Sequence, residues 1–501
     1  MDIKKYIAGF ALSTLVLVSC SRDNTPESTP TPTTKANEIN DFVWKAMNSW
    51  YYWQPNVPSL ADSFKNSADY IPFINSKSPD GLFYSLLYDY GNTDRFSWIE
   101  NKNTIVAASR VAEVEKSSGF DYAVYPKDGT NTSAVALVNY VVPGSPAANA
   151  GIQRGDIITK VNGNPLTLSN YSSLSQDQFS ITRAATAVMT STALVTTDKV
   201  ENISITRADI DENPVAFYKK YSYSGKNIGY LVYNGFKSDY NDELNAAFAT
   251  MKGDGITELI LDLRYNGGGS LETASALAQM INGSFTGQPY VYLDFNNKHN
   301  NEDGMEFLKN TVNTYNIING HPEVTGQQPV NSLNLTKIYV LVSFQTASAS
   351  ELTVISLNKY VPVTTIGNET YGKFVGSITL YDSPASDYTS YSSRNTTHEW
   401  KLQPITFSYY NKDRDSNPSG GRGILPTYDV NPYKAINNIK EFGNTSDPEL
   451  KKALELISGQ TITKTAESPV LYTNKNIRFQ PRNEANGLVI EDFERFSKRK
   501  K

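Results

Sequence analysis

The sequence predicts a multidomain protein of the α/β (α+β) class, in which a helical domain and a β-rich domain precede a larger domain of alternating strands and helices. With 501 residues, the chain is longer than one hydrophobic core usually organises. The apolar pattern changes along the chain from helical periodicity to short β runs, and then to strands that alternate with helices. The composition, 39% hydrophobic and 19% charged, is typical of folded domains.

Charge excludes one class of partner. The chain has 46 Lys and Arg against 51 Asp and Glu, and its one basic run is at residues 498–501. Proteins that bind nucleic acid concentrate positive charge on one face or along one segment. We therefore expect no nucleic-acid partner.

Residues 1–19 have the layout of an export signal. Lys4 and Lys5 precede an apolar run over residues 6–18, and Ser19 lies before Cys20, the only cysteine of the chain. One cysteine allows no internal disulfide and no multi-thiolate metal site. The segment resembles a bacterial lipoprotein signal, which implies lipidation of Cys20 and an extracytoplasmic, membrane-anchored protein. An ordinary secretory signal or a short membrane anchor is the alternative.

Two segments separate this signal from the β-rich region. Residues 20–37 are rich in Pro and Thr and nearly free of apolar residues, which predicts a semi-rigid tether. Residues 38–105 have a helical and aromatic pattern, as in Trp50-Tyr51-Tyr52-Trp53. An aromatic stripe is more often core than ligand site, so we expect a small helical domain without a part in the chemistry.

Residues 106–208 form the β-rich region. Ser145, Pro146 and Gly151 specify the cap, first turn and end of a short helix, and Asn162-Gly163 predicts a tight hairpin turn. The run GSPAANAGIQRGDIITKVNG resembles PDZ domains of bacterial periplasmic proteases. The resemblance implies binding of polypeptide C-termini as an added strand, with Gly119 and Phe120 where the carboxylate-binding loop would fall. A β domain that only packs against its neighbour is the alternative.

Residues 209–461 show strands alternating with helices, which predicts parallel pairing. The predicted strands and helices are residues 228–233, 243–251, 259–263, 271–281, 337–342 and 350–360. Residues 296–331 are polar and turn-rich, typical of a lid, a specificity loop or surface padding. Residues 462–501 form a tail without a recognisable motif.

Two turns in this region have residue types suited to catalysis. The run LDLRYNGGG, residues 261–269, ends a strand in three glycines, whose N–H groups lack side-chain obstruction. The run TASASE, residues 346–351, places a serine between alanines at a predicted helix start, where the helix dipole stabilises negative charge. Each run alone is equally typical of a flexible turn or an ordinary helix start.

Together with Thr370-Tyr371-Gly372-Lys373, these two runs resemble the signatures of the C-terminal processing peptidases. The resemblance implies a Clp protease/crotonase-like α/β catalytic domain. It makes Ser348 the nucleophile and Lys373, 25 positions later, its general base. It implies an endopeptidase that acts on protein or peptide substrates, through their C-termini where the PDZ domain binds them, with no metal or organic cofactor.

The same resemblance assigns supporting roles. The N–H of Ala349 and one from Gly267 or Gly268 would form the oxyanion hole, and Glu351 and Thr370 would lie near the site. Ser377 stands where the family usually has a Gln that orients the lysine amine. Ser377 could replace that Gln, another polar group could do so, or the protein could be a weak or inactive peptide-binding lipoprotein with a protease fold.

The lysine has a physical requirement to meet. A model lysine, with a pKa of about 10.4, is protonated near neutrality and accepts a proton only when it is desolvated. A serine–histidine–acid triad through His398 is the alternative. We expect all three histidines, His299, His321 and His398, to be surface residues rather than catalytic ones.

Overall fold

The computed structural model describes residues 35–101, 116–130, 132–190, 192–318, 321–417, 422–432, 439–461, 478–479, 488–490 and 493–498. The predicted signal at residues 1–19, Cys20 and most of the tether lie outside the described residues. Within these ranges, no helix is long and apolar enough to cross a membrane.

The first described domain is helical, as predicted. It contains α1 (Glu38–Trp50), α2 (Tyr70–Asn75), α3 (Pro79–Ser85) and the strand β1 (Trp98–Asn101). Asn37 caps α1, because its side chain accepts hydrogen bonds from the first-turn N–H groups. Trp50 and Tyr51 of the aromatic stripe are buried, with Trp53 partly buried against them, and they belong to the same hydrophobic core as strands of the large domain. This domain is therefore packed into the larger one rather than independent of it.

The β-rich region has its own apolar core. Its elements are β2 (Lys116–Ser117), β3 (Phe120–Pro126), β4 (Ala134–Val141), α4 (Pro146–Asn149), β5 (Ile157–Val161), β6 (Asn164–Pro165), β7 (Gln178–Met189), β8 (Leu194–Asp198), β9 (Ile203–Thr206) and β10 (Ala208–Asp209). The predicted local signals are confirmed: Ser145 caps α4, accepting from Ala148 N at 3.2 Å, and Asn162-Gly163 turns with both φ angles positive.

The large domain alternates strands and helices around a six-stranded sheet. Its first half contains β11 (Val215–Tyr223), β12 (Lys226–Tyr233), α5 (Asn241–Gly253), β13 (Glu258–Asp262), α6 (Leu271–Ile281), β14 (Pro289–Phe295), β15 (Gly304–Phe307), β16 (Thr311–Ile318) and β17 (His321–Pro329). Its second half contains β18 (Ile338–Val342), α7 (Ala349–Leu357), β19 (Val363–Gly367), β20 (Val375–Ile378), β21 (Leu380–Tyr381), β22 (Trp400–Gln403), β23 (Ile405–Asn411), β24 (Tyr428–Asp429) and α8 (Pro448–Ser458).

The sheet order is β11-β12-β13-β18-β19-β24, and every pair after β11-β12 is parallel. The predicted parallel pairing is confirmed. Strands β13 and β18 are buried along their whole length, as continuous apolar runs require. Their carboxyl ends lie side by side, which brings the glycine turn and the serine turn to one edge of the sheet.

The polar segment at residues 296–331 is structured. It forms β15, β16 and β17, and the last two pair as an antiparallel hairpin. The hairpin is anchored on α5, because Asn241 Nδ2 donates to Asn313 O at 3.1 Å and Asn245 Nδ2 donates to Pro329 O at 3.0 Å. The sequence analysis predicted no strands in this segment, because polar strands packed on a helix have no long apolar run to mark them.

The tail contributes three described elements: β25 (Arg478–Phe479), β26 (Leu488–Ile490) and α9 (Phe493–Lys498). A second sheet of the large domain has the order β15-β14-β23-β20-β26, so a tail strand forms its edge. Strand β25 pairs with β3 of the β-rich domain. The tail thus contacts both domains, although its sequence has no recognisable motif.

Candidate active site

Ser348 lies in a turn between β18 and α7 and is fully buried, with 0% of its surface exposed. Its backbone has φ 59° and ψ −112°, a region that non-glycine residues rarely adopt. Such a conformation costs on the order of 1–3 kcal/mol and persists only where the surroundings enforce it. Here a hydrogen bond enforces it, because Ser348 N donates to Glu351 Oε2 at 2.8 Å.

The glycine turn packs directly against this serine. A Cβ on Gly268 would lie 2.9 Å from Ser348 Cβ and 2.9 Å from Ala349 N, and the φ of Gly268 is +109°. Asn266 joins the two turns, since its carbonyl oxygen accepts from Ala347 N at 3.1 Å and from Ser350 Oγ at 3.0 Å. The sequence analysis missed this role, although Asn266 is part of the motif that it singled out.

The proposed oxyanion donors differ in their present contacts. Gly268 N donates to Asn266 Oδ1 at 2.9 Å, so this N–H is engaged within its own turn. Gly267 is partly exposed at the same turn. Ala349 is the first residue of α7, where an N–H has no intrahelical acceptor. In this structure Ala349 N is therefore better placed than Gly268 N to offer a donor.

Lys373 lies on the segment that joins β19 to β20 and is buried, with 5% of its surface exposed. Its backbone N donates to Glu351 Oε2 at 2.8 Å. Its Nζ lies 4.6 Å from the centre of the Phe96 ring. Arg95 Nη2 donates to Gly372 O at 3.4 Å. The expectation that residues 38–105 have no part in the site was therefore wrong, because Phe96 and Arg95 flank the lysine loop across a domain contact.

Glu351 is the centre of this arrangement. Its Oε2 accepts from Ser348 N and Lys373 N, and its Oε1 accepts from Gly372 N at 2.8 Å and from Thr370 Oγ1. Burial raises the pKa of the Glu351 carboxyl, and these four donors oppose the rise. The structure thus brings the predicted residues Glu351 and Thr370 together with Ser348 and Lys373.

Tyr409 makes a second connection that the sequence analysis missed. It lies on β23, fully buried, with its hydroxyl 2.9 Å from Ser348 O and 2.7 Å from Lys373 O. Burial raises the pKa of this phenol, so it is a neutral hydrogen-bond donor. A tyrosine in an apolar strand carries no sequence signal for such a role.

Ser377 lies on β20 and is buried. Its Oγ accepts from Gln403 Nε2 at 2.7 Å, and Gln403 Oε1 accepts from Thr379 Oγ1 at 2.8 Å. The hydroxyl that replaces the family's Gln is therefore engaged by another carboxamide, from β22. Gln403 lies 30 positions after Lys373, too far in sequence to be found from the motif.

His299 and His398 are partly buried rather than freely exposed, and both are engaged by neighbouring side chains. His299 stacks on Trp50 with ring centres 3.5 Å apart. His398 Nε2 lies 3.1 Å from Asp382 Oδ2, and its Nδ1 accepts from Trp400 N at 3.2 Å. Both ring nitrogens of His398 are therefore engaged locally. The side chain of His321 lies outside the described residues.

A buried ion cluster forms around Arg264, just before the glycine turn in the chain. Arg264 Nη2 donates to Asp262 Oδ2 at 2.7 Å, and its Nη1 lies 3.0 Å from Asp447 and 3.1 Å from Glu449. Arg154, from the β-rich domain, lies 3.3 Å from Asp447 and ties the two domains together. Burial is the main reason that the pKa of Glu449 is raised to about 8.

Two residues predicted for peptide binding lie at the start of β3. Gly119 has φ +79°, and a Cβ there would lie 2.1 Å from Ser145 Cβ, so only glycine fits. The Phe120 side chain is buried in the domain core, with its ring centre 5.6 Å from that of Tyr122. Any contact of Phe120 with a peptide would therefore be made by its backbone.

The fold is that of a multidomain α/β protein whose large domain brings a glycine turn, a buried serine turn and a lysine loop to one edge of its parallel sheet. Residues 227–429 match Peptidase family S41, residues 38–98 match the Peptidase S41 N-terminal domain, and residues 137–183 match a PDZ domain. The large domain is therefore similar to peptidase family S41, and the two domains before it are similar to that family's N-terminal domain and to a PDZ domain.

Similar proteins are found among bacterial proteases. The "Probable CtpA-like serine protease" of Staphylococcus aureus (strain bovine RF122 / ET3-1) is 26% identical over 327 residues, which cover 64% of this chain and 56% of that protein. Its namesake from Staphylococcus epidermidis (strain ATCC 12228 / FDA PCI 1200) is 27% identical over 305 residues, which cover 59% and 51%. The chain thus spans just over half the length of these relatives.

A solved structure gives the same assignment of fold. A protein assigned to the S41 proteases, from Bacteroides fragilis NCTC 9343, superposes with a TM-score of 0.63 at 27% identity. The match covers 83% of this chain and 97% of that one. The similarity therefore extends over all three domains rather than the peptidase domain alone.

Proposed function

We propose that this protein is a serine endopeptidase in which Ser348 is the nucleophile and Lys373 the general base. The observation that carries the proposal is the sharing of Glu351 Oε2 by the N–H groups of both residues, each at 2.8 Å. One buried carboxylate thereby fixes the nucleophile turn relative to the lysine loop. Catalysis of acyl transfer requires this kind of fixed nucleophile and base.

The reaction proceeds in two halves. Neutral Lys373 takes the Ser348 proton as Oγ attacks the scissile carbonyl carbon, and the oxyanion accepts from Ala349 N and a glycine N–H of the 267–268 step. Collapse breaks the C–N bond, and Lys373 returns the proton to the leaving amine. Water then attacks the acyl-enzyme, with Lys373 again as base, and releases Ser348 and the new carboxyl terminus.

The burial of Lys373 supports its proposed role as a base. An amine in water is protonated near neutrality, and removal from water disfavours the charged form. Lys373 is 5% exposed and lies against the Phe96 ring.

The substrates that fit this arrangement are extracytoplasmic proteins or peptides, recognised by the PDZ domain through their C-termini. The support is the position of Gly119 at the start of β3, where a left-handed glycine turn precedes a strand that can pair with a peptide. Lipidation of Cys20, with anchoring on a membrane outside the cytoplasm, completes the proposal and rests on the signal pattern of residues 1–20.

The test is hydrolysis of an unstructured protein, together with acylation of Ser348 by a fluorophosphonate probe. We expect Ser348→Ala to abolish both, and Lys373→Ala and Lys373→Arg to abolish hydrolysis, since arginine cannot become neutral. Lys252→Ala, on the exposed face of α5, is the matched control and should be fully active. Full activity of either Lys373 variant would remove the lysine from the mechanism.

A second candidate is a peptide-binding lipoprotein without protease activity. The observation that favours it is Ser377, which stands in place of the family's Gln and is already engaged by Gln403. This candidate predicts that peptides with free C-termini bind the PDZ domain while Ser348 is not acylated. Acylation at a rate that depends on Lys373 would exclude it.

A further inference from the structure

A strand from the tail lies across the candidate active site. β26 pairs in parallel with β20, with Leu488 opposite Gly376 and Ile490 opposite Ile378. On its other side, Val489 forms a bridge with Ser270, and Val489 N donates to Gly269 O at 3.1 Å. The strand therefore fills the space between the glycine turn and the strand that follows Lys373.

The tail also contacts the nucleophile itself. Leu488 N donates to Ser348 Oγ, and both residues have 0% of their surface exposed. A serine nucleophile attacks a carbonyl carbon, whereas here its oxygen accepts from an amide N–H. This register occupies the hydroxyl without presenting a bond for cleavage, as an inhibitor does and a substrate does not.

The end of the tail is held by apolar contacts. Phe493 and Phe496 of α9 are buried, and the Phe493 ring centre lies 5.0 Å from that of Trp50. A cavity of about 170 Å³ beside β26 is lined by Val489, Ile490 and Phe496 together with Leu271 and Tyr290. Other residues of helix α6, of strand β15 and of the β16–β17 hairpin also line it. This cavity offers room for a ligand side chain next to β26.

The same tail occupies the PDZ edge. β25 pairs antiparallel with β3, with Arg478 opposite Val124 and Phe479 opposite Ala123. β3 begins directly after Gly119, so its free edge is where a peptide would add as a strand. One segment of the chain thus lies on the proposed recognition strand and, nine residues later, on the proposed nucleophile.

We propose that the groove between β20 and the Gly269–Ser270 segment binds extended peptides by strand addition, and that residues 488–490 are an intramolecular ligand that competes with substrate for it. The proposal rests on the proposed function, and it adds the substrate-binding groove and its occupant. Ligands of this groove are extended chains with aliphatic side chains where Leu488, Val489 and Ile490 lie. Substrate reaches Ser348 only when this strand leaves.

The first experiment removes the ligand from the groove. A chain ending at residue 487 and the variant Leu488→Pro, which lacks the N–H that reaches Ser348 Oγ, should hydrolyse an unstructured protein with an apparent KM lowered about tenfold or more, since a larger fraction of molecules is open. Leu488→Ala keeps the N–H and should change KM less. An unchanged KM in both the truncated chain and Leu488→Pro overturns the inference while the proposed function stands.

The second experiment measures binding of the tail peptide independently of hydrolysis. A labelled peptide of residues 485–498, ANGLVIEDFERFSK, should bind the chain ending at residue 487, as measured by fluorescence anisotropy, and a scrambled peptide should not. It should also inhibit the truncated enzyme competitively. Absence of binding overturns the inference even if no hydrolysis is detected, whereas binding without any hydrolysis or acylation contradicts the proposed function alone.

The third experiment locks the strand without removing it. In a chain with Cys20→Ser, the pair Ile378→Cys and Ile490→Cys joins register partners of parallel strands, a separation that a disulfide spans. We expect the oxidised protein to lose hydrolysis and Ser348 acylation, and dithiothreitol to restore both. Each single cysteine variant should not respond to dithiothreitol. Full activity of the oxidised double variant contradicts the proposal.

Discussion

Ser348 and Lys373 are joined twice, through their backbone N–H groups and through their backbone carbonyl oxygens. Their N–H groups share Glu351 Oε2 at 2.8 Å each, and their carbonyl oxygens lie 2.9 and 2.7 Å from the Tyr409 hydroxyl. Neither Glu351 nor Tyr409 touches a reacting atom in this structure. Glu351 and Tyr409 are therefore positioning residues, and their variants test whether the fixed geometry matters for the reaction.

Glu351→Gln should lower kcat by about 100-fold or more, with KM nearly unchanged, because an amide nitrogen cannot accept from the N–H groups that the carboxylate now holds. The measurement is steady-state hydrolysis, with the rate of Ser348 acylation as a second readout. The control is Glu323→Gln on the exposed side of β17, which should match the wild type. An equal loss of stability and activity, with KM raised, would indicate a merely structural role.

Tyr409→Phe should destabilise the fold by about 1–3 kcal/mol and lower kcat, because two buried carbonyl oxygens lose a hydrogen-bond donor. Chemical denaturation and hydrolysis assays measure the two effects. Tyr410→Phe, the next residue on the same strand and only partly buried, is the matched control and should change stability by less than about 0.5 kcal/mol. Equal effects of the two substitutions would contradict the assigned connection.

Gly268→Ala should abolish acylation of Ser348. The new Cβ would lie 2.9 Å from Ser348 Cβ, Ala347 O and Ala349 N, and backbone atoms cannot give way as a flexible side-chain end can. The φ of +109° adds strain for any L-residue with a side chain. Gly253→Ala, in a helix with open space around it, should keep activity and raise stability by roughly 0.5–1 kcal/mol. Ready acylation of the Gly268 variant would mean that the turn moves freely.

The ion cluster predicts a pH dependence of stability. The charges of Arg264 and Arg154 balance those of the carboxylates of Asp262 and Asp447, and burial raises the pKa of Glu449 to about 8, so Glu449 is protonated at neutral pH. Between its unfolded pKa and 8, the native state binds one proton more than the unfolded state. The free energy of unfolding should therefore fall by up to about 1.4 kcal/mol per pH unit across this window and level off above it.

Glu449→Gln isolates this effect, because glutamine resembles the protonated acid but does not titrate. Denaturation of wild type and variant at about pH 4 and about pH 9 should show similar stability at the lower pH, where the glutamate of the unfolded chain is also largely protonated, and a more stable variant at the higher pH. The control is Glu323→Gln, which should leave the pH dependence of the wild type intact. Identical profiles for wild type and Glu449→Gln would show that Glu449 is not the titrating group.

Several elements could be predicted because their causes are local. The helix over residues 271–281 was predicted with its observed ends, and the cap at Ser145 was visible as a Ser-Pro pair. Parallel pairing followed from buried strands that alternate with helices. The hairpin at residues 311–329 was missed because its strands are polar and are stabilised by contacts with α5.

For the site, the sequence by itself determined which residues are candidates for the chemistry. The glycine run, the serine turn and the lysine loop each have a local composition that suits one role, and their order and spacing indicated the family. The tertiary structure decided everything that depends on atoms distant in the chain. Glu351 joins the serine turn to the lysine loop. Tyr409, on strand β23, contacts both of them, and Phe96, from the helical domain, lies against Lys373.

The tail shows the physical reason most clearly. Leu488 lies 140 positions from Ser348, and nothing in its neighbourhood marks it as part of a site. Strand addition uses backbone N–H and C=O groups, which every residue except proline provides, so it leaves almost no trace in side-chain composition. Local sequence thus determined the candidate nucleophile and base, while only the packed chain decided which segment covers them.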